Sequence, residues 1–327
     1  MTRSRRAGAV VIGRNEGDRL KRCIQSLQHQ VDLLVYVDSG STDGSAEWVR
    51  EQGIPVVSLD LAIPFTAARA RNEGFDYLMQ ETEMMEYVFF VDGDCEVCPD
   101  WLEQAMAFLD ENSQVGVVCG RRRERYPEVS IYNRLCDDEW NTPIGEARAC
   151  GGDSVMRVRA FNLVSGFRHD VIAGEEPELC FRLRKQGWQV WRIDHDMTLH
   201  DAALEKFSQW WKRMERGGYA YVLGALLHGR SAEKFRIRES ARILFWGGGL
   251  PIFGLFASFV SPLAWLCLLA YPVLWIKIYL SSSLQGVEWR AISSLFMVMA
   301  KFPEFIGGSR CLLDKLTQKK AKIIEYK

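Results

Sequence analysis

Four short apolar runs, spaced by amphipathic stretches, limit what the first hundred residues can fold into. The runs are 9–14 (AVVIGR), 31–40 (VDLLVYVDSG), 54–60 (IPVVSLD) and 87–94 (YVFFVDGD), and each reads as a strand. Between them, residues 16–27, 41–53 and 66–80 read as helices. Leu20, Cys23, Ile24 and Leu27 share a helical face, Gly53 stops the second helix, and Thr66 suits the N-cap of the third. Alternating strands and helices pack best as an α/β layer structure, so the expectation is a Rossmann-like, mostly parallel sheet with helices on both faces.

Ligands of such sheets collect at the carboxyl ends of the strands. There the sequence places Arg14, Asn15 and Glu16, then Asp38 and Ser39, then Asp92, Gly93 and Asp94. Carboxylates two apart on extended chain point to one side and can share a divalent cation, with Gly93 leaving room for a ligand. Asp38 can accept hydrogen bonds from a ribose or a base, and Arg14 can face phosphate or base. Of Arg69 and Arg71 on the third helix, one can reach a diphosphate. Each group also has a bland reading, as turn chemistry, a helix start or a solvated face; three strand ends together carry the functional one.

Farther on, 100–110 reads as a helix and 115–128 as a strand followed by a basic loop containing Arg121, Arg122 and Arg123. No firm period follows until a helix that opens near Pro177 and stops at Gly187, with a strand at 188–194 behind it. The net charge of -1 provides no basic field for nucleic acid. Nine scattered cysteines, after a start at Arg3, Arg5 and Arg6 that lacks a secretory pattern, suit reduced thiols. Cys95 and Cys98 form a C-x-x-C with no second pair nearby, so no zinc site is expected there.

From Ile243 to Ile276 no charged residue occurs, a stretch of roughly 34 residues against about 20 for one membrane span. Breaks at Pro251 and at Ser261–Pro262 predict a hairpin that either crosses twice or enters one leaflet. Basic residues flank it, from Lys212 to Arg242 before and from Lys277 to Lys322 after, so both ends belong on the cytoplasmic side. Trp210 and Trp211 beside Lys212 and Arg213 suit a membrane-facing strip, and 291–300 is too short to span. The expected organisation is a catalytic domain over 1–205, basic juxtamembrane helices over 206–242, and a membrane hairpin with its tail over 243–327.

Six stretches in this order resemble a membrane-associated, bacterial-type family 2 glycosyltransferase with the GT-A fold: VIGRNEGDRLKRCIQSL, VYVDSGSTDGS, PFTAARARNEGF, VFFVDGDCEVCPDWL, GGDSVMRVRAF and GEEPELCFRLRKQGW. The resemblance spans about residues 8 to 205. It implies an inverting enzyme that takes a nucleotide-diphosphate sugar, UDP-linked first, with Mn2+ or Mg2+ as cofactor. Asp38 would hold the nucleoside with Arg14, Asn15, Glu16 and Ser39 nearby. Asp92 would lie near ribose or metal and Asp94 on the metal, with His200 as a third ligand and His195 as its rival. Gly151, Gly152 and Asp153 would face donor sugar and acceptor. Glu175 and Glu176 stand where the family has Glu-Asp, the second being the expected base, and Glu178 is a further candidate. The hairpin points to a lipid-linked or saccharide acceptor at the cytoplasmic membrane, with membrane lipids as partners and Arg121–Arg123 available for a lipid phosphate. The rivals are a catalytically inactive tethered scaffold and a sugar nucleotidyltransferase, though 9–18 lacks the glycine-rich phosphate loop of the latter.

Overall fold

The computed structural model describes residues 7–82 and 84–318; the basic residues Arg3, Arg5, Arg6, Lys319, Lys320 and Lys322 lie outside them. The chain forms two compact units, Met1–Glu205 and Lys206–Lys327.

The first unit opens with β1 (Ala7–Gly13), α1 (Asp18–Leu27), β2 (Leu33–Asp38), α2 (Ser45–Glu51), β3 (Val56–Ser58), α3 (Ala67–Glu81) and β4 (Tyr87–Asp92). The four strands pair in parallel in the order β3-β2-β1-β4. Their register puts Gly13 beside Asp38 and Ile12 beside Asp92, so the polar strand ends lie along one margin of the sheet. Thr66 caps α3 by accepting from Arg69 N at 3.0 Å. Gly74 lets α3 settle onto the sheet, since a Cβ there would lie 2.4 Å from Val10 Cγ1 and 2.8 Å from Val37 Cγ2.

The remainder comprises β5 (Cys95–Val97), α4 (Trp101–Glu111), β6 (Val115–Glu124), α5 (Ile131–Trp140), β7 (Gly145–Ala147), β8 (Ser154–Arg157), α6 (Val158–Leu163), α7 (Glu175–Lys185) and β9 (Gln189–His200). The sheet continues β4-β8-β6-β9-β5, with β7 also on β9. Here only β6 and β9 pair in parallel, so the whole is a mixed α/β sheet. Arg121–Arg123, expected in a loop, lie within β6, because the long β9 supplies backbone partners as far as His200. The stretch without a period contains α5 and β7, whose mixed burial leaves no readable stripe.

The second unit is helical: α8 (Phe207–His228), α9 (Ile237–Ile243), a π-helical turn (Leu244–Gly249), α10 (Leu250–Ser258), a 3-10 segment (Pro262–Leu269), α11 (Ala270–Ser281), α12 (Val287–Met299) and α13 (Lys301–Leu316). Glycines let α8 and α13 meet backbone to backbone, since a Cβ on Gly218 would fall 1.9 Å from Glu304 O and one on Gly307 1.8 Å from Glu215 O. Trp210 is 3% exposed and packs edge-on against Phe296 at 4.9 Å, so it is a packing residue and not part of a membrane-facing strip. Two helical stretches, Ile237–Ser258 and Pro262–Ser281, are long and apolar enough to cross a membrane. Between them Phe259 and Val260 are 80% and 91% exposed. The segment at 291–300 packs on α11, where Trp275 Nε1 donates to Ala291 O at 3.1 Å.

Candidate active site

The first two strand ends are stitched together by their loops. Asn15, in the left-handed region at φ 57°, donates from its backbone to Ser41 Oγ at 2.9 Å and accepts from Thr42 N at 2.7 Å. Ser39 N donates to Gly13 O at 3.0 Å. Asp38 is buried, and its carboxylate accepts from Gly40 N at 3.1 Å, from Ser41 N, and from Tyr36 Oη at 3.2 Å. It organises the turn that its strand enters. Glu16 is salt-bridged to Arg19 at 2.8 Å. Arg14 is exposed, with its guanidinium 4.9 Å from the centre of the Phe65 ring.

At the end of β4 the two aspartates have different partners. Asp94 Oδ1 lies 3.3 Å from His200 Nε2, and both side chains are buried. His195, the rival, sits against Asp196 O and the Trp101 ring instead. Asp92 Oδ1 accepts from Arg71 Nη2 at 2.7 Å, and its Oδ2 lies 4.0 Å from Arg122 Nη2. Burial opposes ionisation of Asp92, but Arg71 and Arg122 outweigh it and hold the carboxyl below its usual range. The two aspartates thus part company within the chain: Asp92 is held by arginine, and Asp94 faces His200.

Asp153 departs from its expected role. It is 0% exposed, accepting from Asp92 N at 3.1 Å, Thr198 Oγ1 at 2.8 Å and Cys95 Sγ at 3.3 Å, with Arg122 Nη2 at 2.9 Å. It ties β4 to β9 and does not face a substrate. Gly152 lies over the ion cluster, where a Cβ would meet Asp92 Oδ2 at 2.7 Å and Arg122 Nη2 at 3.0 Å. The three arginines expected to meet a lipid phosphate are also engaged within the chain: Arg121 with Asp137, Arg122 with Asp153, and Arg123 with Asp196.

Arg71 extends the network to α7, with Nη1 donating to Glu175 Oε1 at 3.0 Å. Asn72, its neighbour, fixes the loop before α7 through paired bonds with the Phe167 backbone at 2.7 and 2.9 Å. Glu176 turns inward to accept from Cys150 N and from Cys180 Sγ at 3.4 Å. Burial raises its pKa above the usual carboxylate value despite those bonds. Glu178 is bound to Arg182 at 2.8 Å and is a structural acid. Sequence reasoning missed Trp140, whose ring packs edge-on against His200 at 4.7 Å and under the Arg122 guanidinium at 5.5 Å. A lone tryptophan in a stretch without a period gave no signal of that contact.

Residues 9–165 match the family described as Glycosyl transferase family 2. They form a family 2 glycosyltransferase domain. The fold is shared with a mannosyltransferase from Pyrobaculum calidifontis, solved with GDP-Man and Mn2+, at TM-score 0.59 and 18% identity over 96% of this chain and 89% of that one. Among curated proteins, a TPR repeat-containing protein of Synechococcus elongatus is 30% identical over 146 residues, 39% of this chain. The chain spans only about a third of that relative's length, 34%. Glycosyltransferase AglE of Haloferax volcanii is 26% identical over 55% of this chain and 72% of its own length. Succinoglycan biosynthesis protein ExoA of Rhizobium meliloti is 23% identical over 61% of this chain and 64% of its own.

The first unit brings together a donor set that can hold a divalent cation. Asp94 supplies a carboxylate oxygen and His200 an imidazole nitrogen, at a separation one ion can bridge. Cys95 lies in the same cluster, but a thiol sulfur is a soft donor that Mn2+ and Mg2+ do not favour.

Proposed function

We propose that the chain transfers a hexosyl group from a nucleotide-diphosphate sugar to a lipid-linked or saccharide acceptor, with inversion, at the cytoplasmic face of the inner membrane. The observation that carries this reading is the buried Asp94–His200 pair, 3.3 Å apart and next to an Asp92 that is neutralised by arginine. When bound, Mn2+ or Mg2+ supplies Lewis-acid neutralisation of the leaving diphosphate. Asp94 and His200 would hold it. Arg71 and Arg122 keep Asp92 ionised, and Arg14, Asn15, Glu16, Asp38 and Ser39 form the rim for the nucleoside. Glu176 takes the proton of the acceptor hydroxyl, its raised pKa bringing it toward the range a general base needs. Glu175, held by Arg71, is the positioning residue of the pair.

The apolar hairpin beyond Arg242 supports a membrane setting, and the name of ExoA supports envelope polysaccharide synthesis. A second reading, an inactive tethered scaffold, is favoured by the inward turn of Glu176 onto Cys150 N. The test is to offer the purified chain a panel of nucleotide sugars, UDP-linked ones first, with membrane extract as acceptor. Nucleoside diphosphate release that needs Mn2+ or Mg2+, and that falls about a hundredfold or more in Asp94→Asn and His200→Ala, is the expected result. Release of inorganic diphosphate would identify a nucleotidyltransferase, and no release from any donor would leave the scaffold.

A further inference from the structure

Behind the proposed base lies a cluster that the transfer reaction does not use. Cys150 Sγ and Cys180 Sγ are 3.5 Å apart, and Cys180 Sγ is 3.4 Å from Glu176 Oε1. All three residues are buried, and all three ligand atoms lie within 4.8 Å of one another. Glu176 and Cys180 are four apart on α7, the spacing that puts two side chains on one helix face. Cys150 comes from the chain before β8, next to Gly151, which is exposed and left-handed at φ 80°.

These separations are those of a tetrahedral thiolate site. With Zn–S of about 2.3 Å and Zn–O of about 2.0 Å, two sulfurs on one zinc stand roughly 3.8 Å apart, and a sulfur and an oxygen roughly 3.5 Å. The backbone N–H of Cys150 bonds the Glu176 carboxylate, the kind of outer contact that orients a ligating oxygen. We propose that Cys150, Glu176 and Cys180 form a binding site for a soft divalent cation, Zn2+, which holds the Glu176 carboxylate and so blocks transfer.

The block, though not the binding, rests on Glu176 being the base. Two protein sulfurs and one oxygen leave a fourth position for water. Mn2+ and Mg2+ prefer oxygen ligands and are poor fits for a site of two sulfurs and one oxygen. Binding releases two thiol protons to solvent, one from each cysteine. A disulfide is the weaker use of the same pair. Burial, with the neighbouring thiol, holds Cys150 well above the ordinary thiol range; for Cys180 the contact with Cys150 acts the other way, yet burial and Glu176 still leave it raised. Protonated thiols oxidise slowly, whereas a metal displaces the protons itself. Cys119, buried on β6, feels the charges of Cys150 and Glu176 and is the neighbour to include in the test.

The experiment uses the full chain, stripped of metal under reducing conditions and titrated with Co2+ as the spectroscopic probe. Thiolate-to-cobalt charge transfer with tetrahedral visible bands, saturating at one equivalent and displaced by Zn2+, is expected in the wild type and in Cys98→Ser. Both bands are lost in Cys150→Ser and in Cys180→Ser. X-ray absorption of the zinc-loaded wild type needs no variant, and two sulfur neighbours per zinc are expected. A shell of oxygen and nitrogen alone, or cobalt bands that survive both serine variants, overturns the site; loss in Cys119→Ser alone moves it to that residue and overturns the assignment. Transfer assayed in excess Mn2+ should then fall about a hundredfold on zinc loading, without relief by further Mn2+. If the two-sulfur site forms and transfer is unchanged, the site stands and Glu176 is not the base. Relief by Mn2+ would assign the inhibition to Asp94 and His200 and overturn the block at Glu176.

Discussion

Arg71 Nη2 lies 2.7 Å from Asp92 Oδ1, an ion pair between residues 21 apart in the sequence. The other arm of the same guanidinium reaches Glu175, so one side chain joins the D-x-D strand end to the start of α7. Arg71 is 3% exposed at its side chain and therefore depends on these partners to be charged inside the protein.

Removing it should cost stability as well as transfer. Arg71→Ala takes that partner from Glu175 and leaves Asp92 only the more distant Arg122, at 4.0 Å. Loss of about 3 kcal/mol is expected, the low end of the range for a broken buried pair because Asp92 is partly exposed. Arg71→Lys keeps the charge and one contact, and should lose about half as much. Urea midpoints of the two variants against wild type measure this, and equal midpoints would show that the pair is not structural.

Gly152→Ala puts a methyl group where Asp92 Oδ2, Arg122 Nη2 and Arg71 Nη2 lie within 2.7 to 3.1 Å. Those atoms end flexible side chains but are held by one another, so the cluster must spread. The expected outcome is a modest stability cost of about 1 kcal/mol with a larger loss of transfer, about tenfold. A thermal melt and a turnover assay on the same preparation separate the two effects.

Glu176 predicts a pH slope. Its carboxyl titrates above the usual range because burial disfavours its charge, so the folded chain holds a proton that the unfolded chain, at about 4.3, releases. Between those two values the folded state binds more protons than the unfolded one, and stability falls as pH rises. Glu176→Gln should remove that part of the slope. Urea melts from acid to neutral pH in the presence of chelator test it, and identical slopes in wild type and variant would assign the effect to another group.

The hairpin tip predicts membrane behaviour. With Phe259 and Val260 exposed between two apolar stretches and no charged residue from Ile243 to Ile276, the tip is expected to lie in hydrocarbon. Val260→Arg should then weaken partitioning into liposomes by about a hundredfold, matching roughly 3 kcal/mol for a cation at that depth. Flotation of wild type and variant measures it. An unchanged partition would place the tip in water.

The sequence alone determined the strands β1 to β4, their polar ends and the helices between them. Each of those depends on a local period and on a local stop such as Gly53, at φ 74°, or a local cap such as Thr66, which act over a few residues. The turn after β2 was legible for the same reason, because Asp38 accepts from Gly40 N and Ser41 N, close to where it stands, whereas the bond from Asn15 to Ser41 joins two loops 26 residues apart. Tertiary structure alone decided the partners of the acids. Asp92 and Asp94 are two apart and look alike as a motif, yet one went to Arg71 and the other to His200. Asp153 became a buried strut and Glu176 turned to Cys150, because β8, β9 and α7 bring to one margin side chains that are tens of residues apart. A charge in a low-dielectric interior takes whichever partner is nearest in space, and sequence spacing carries no record of that distance.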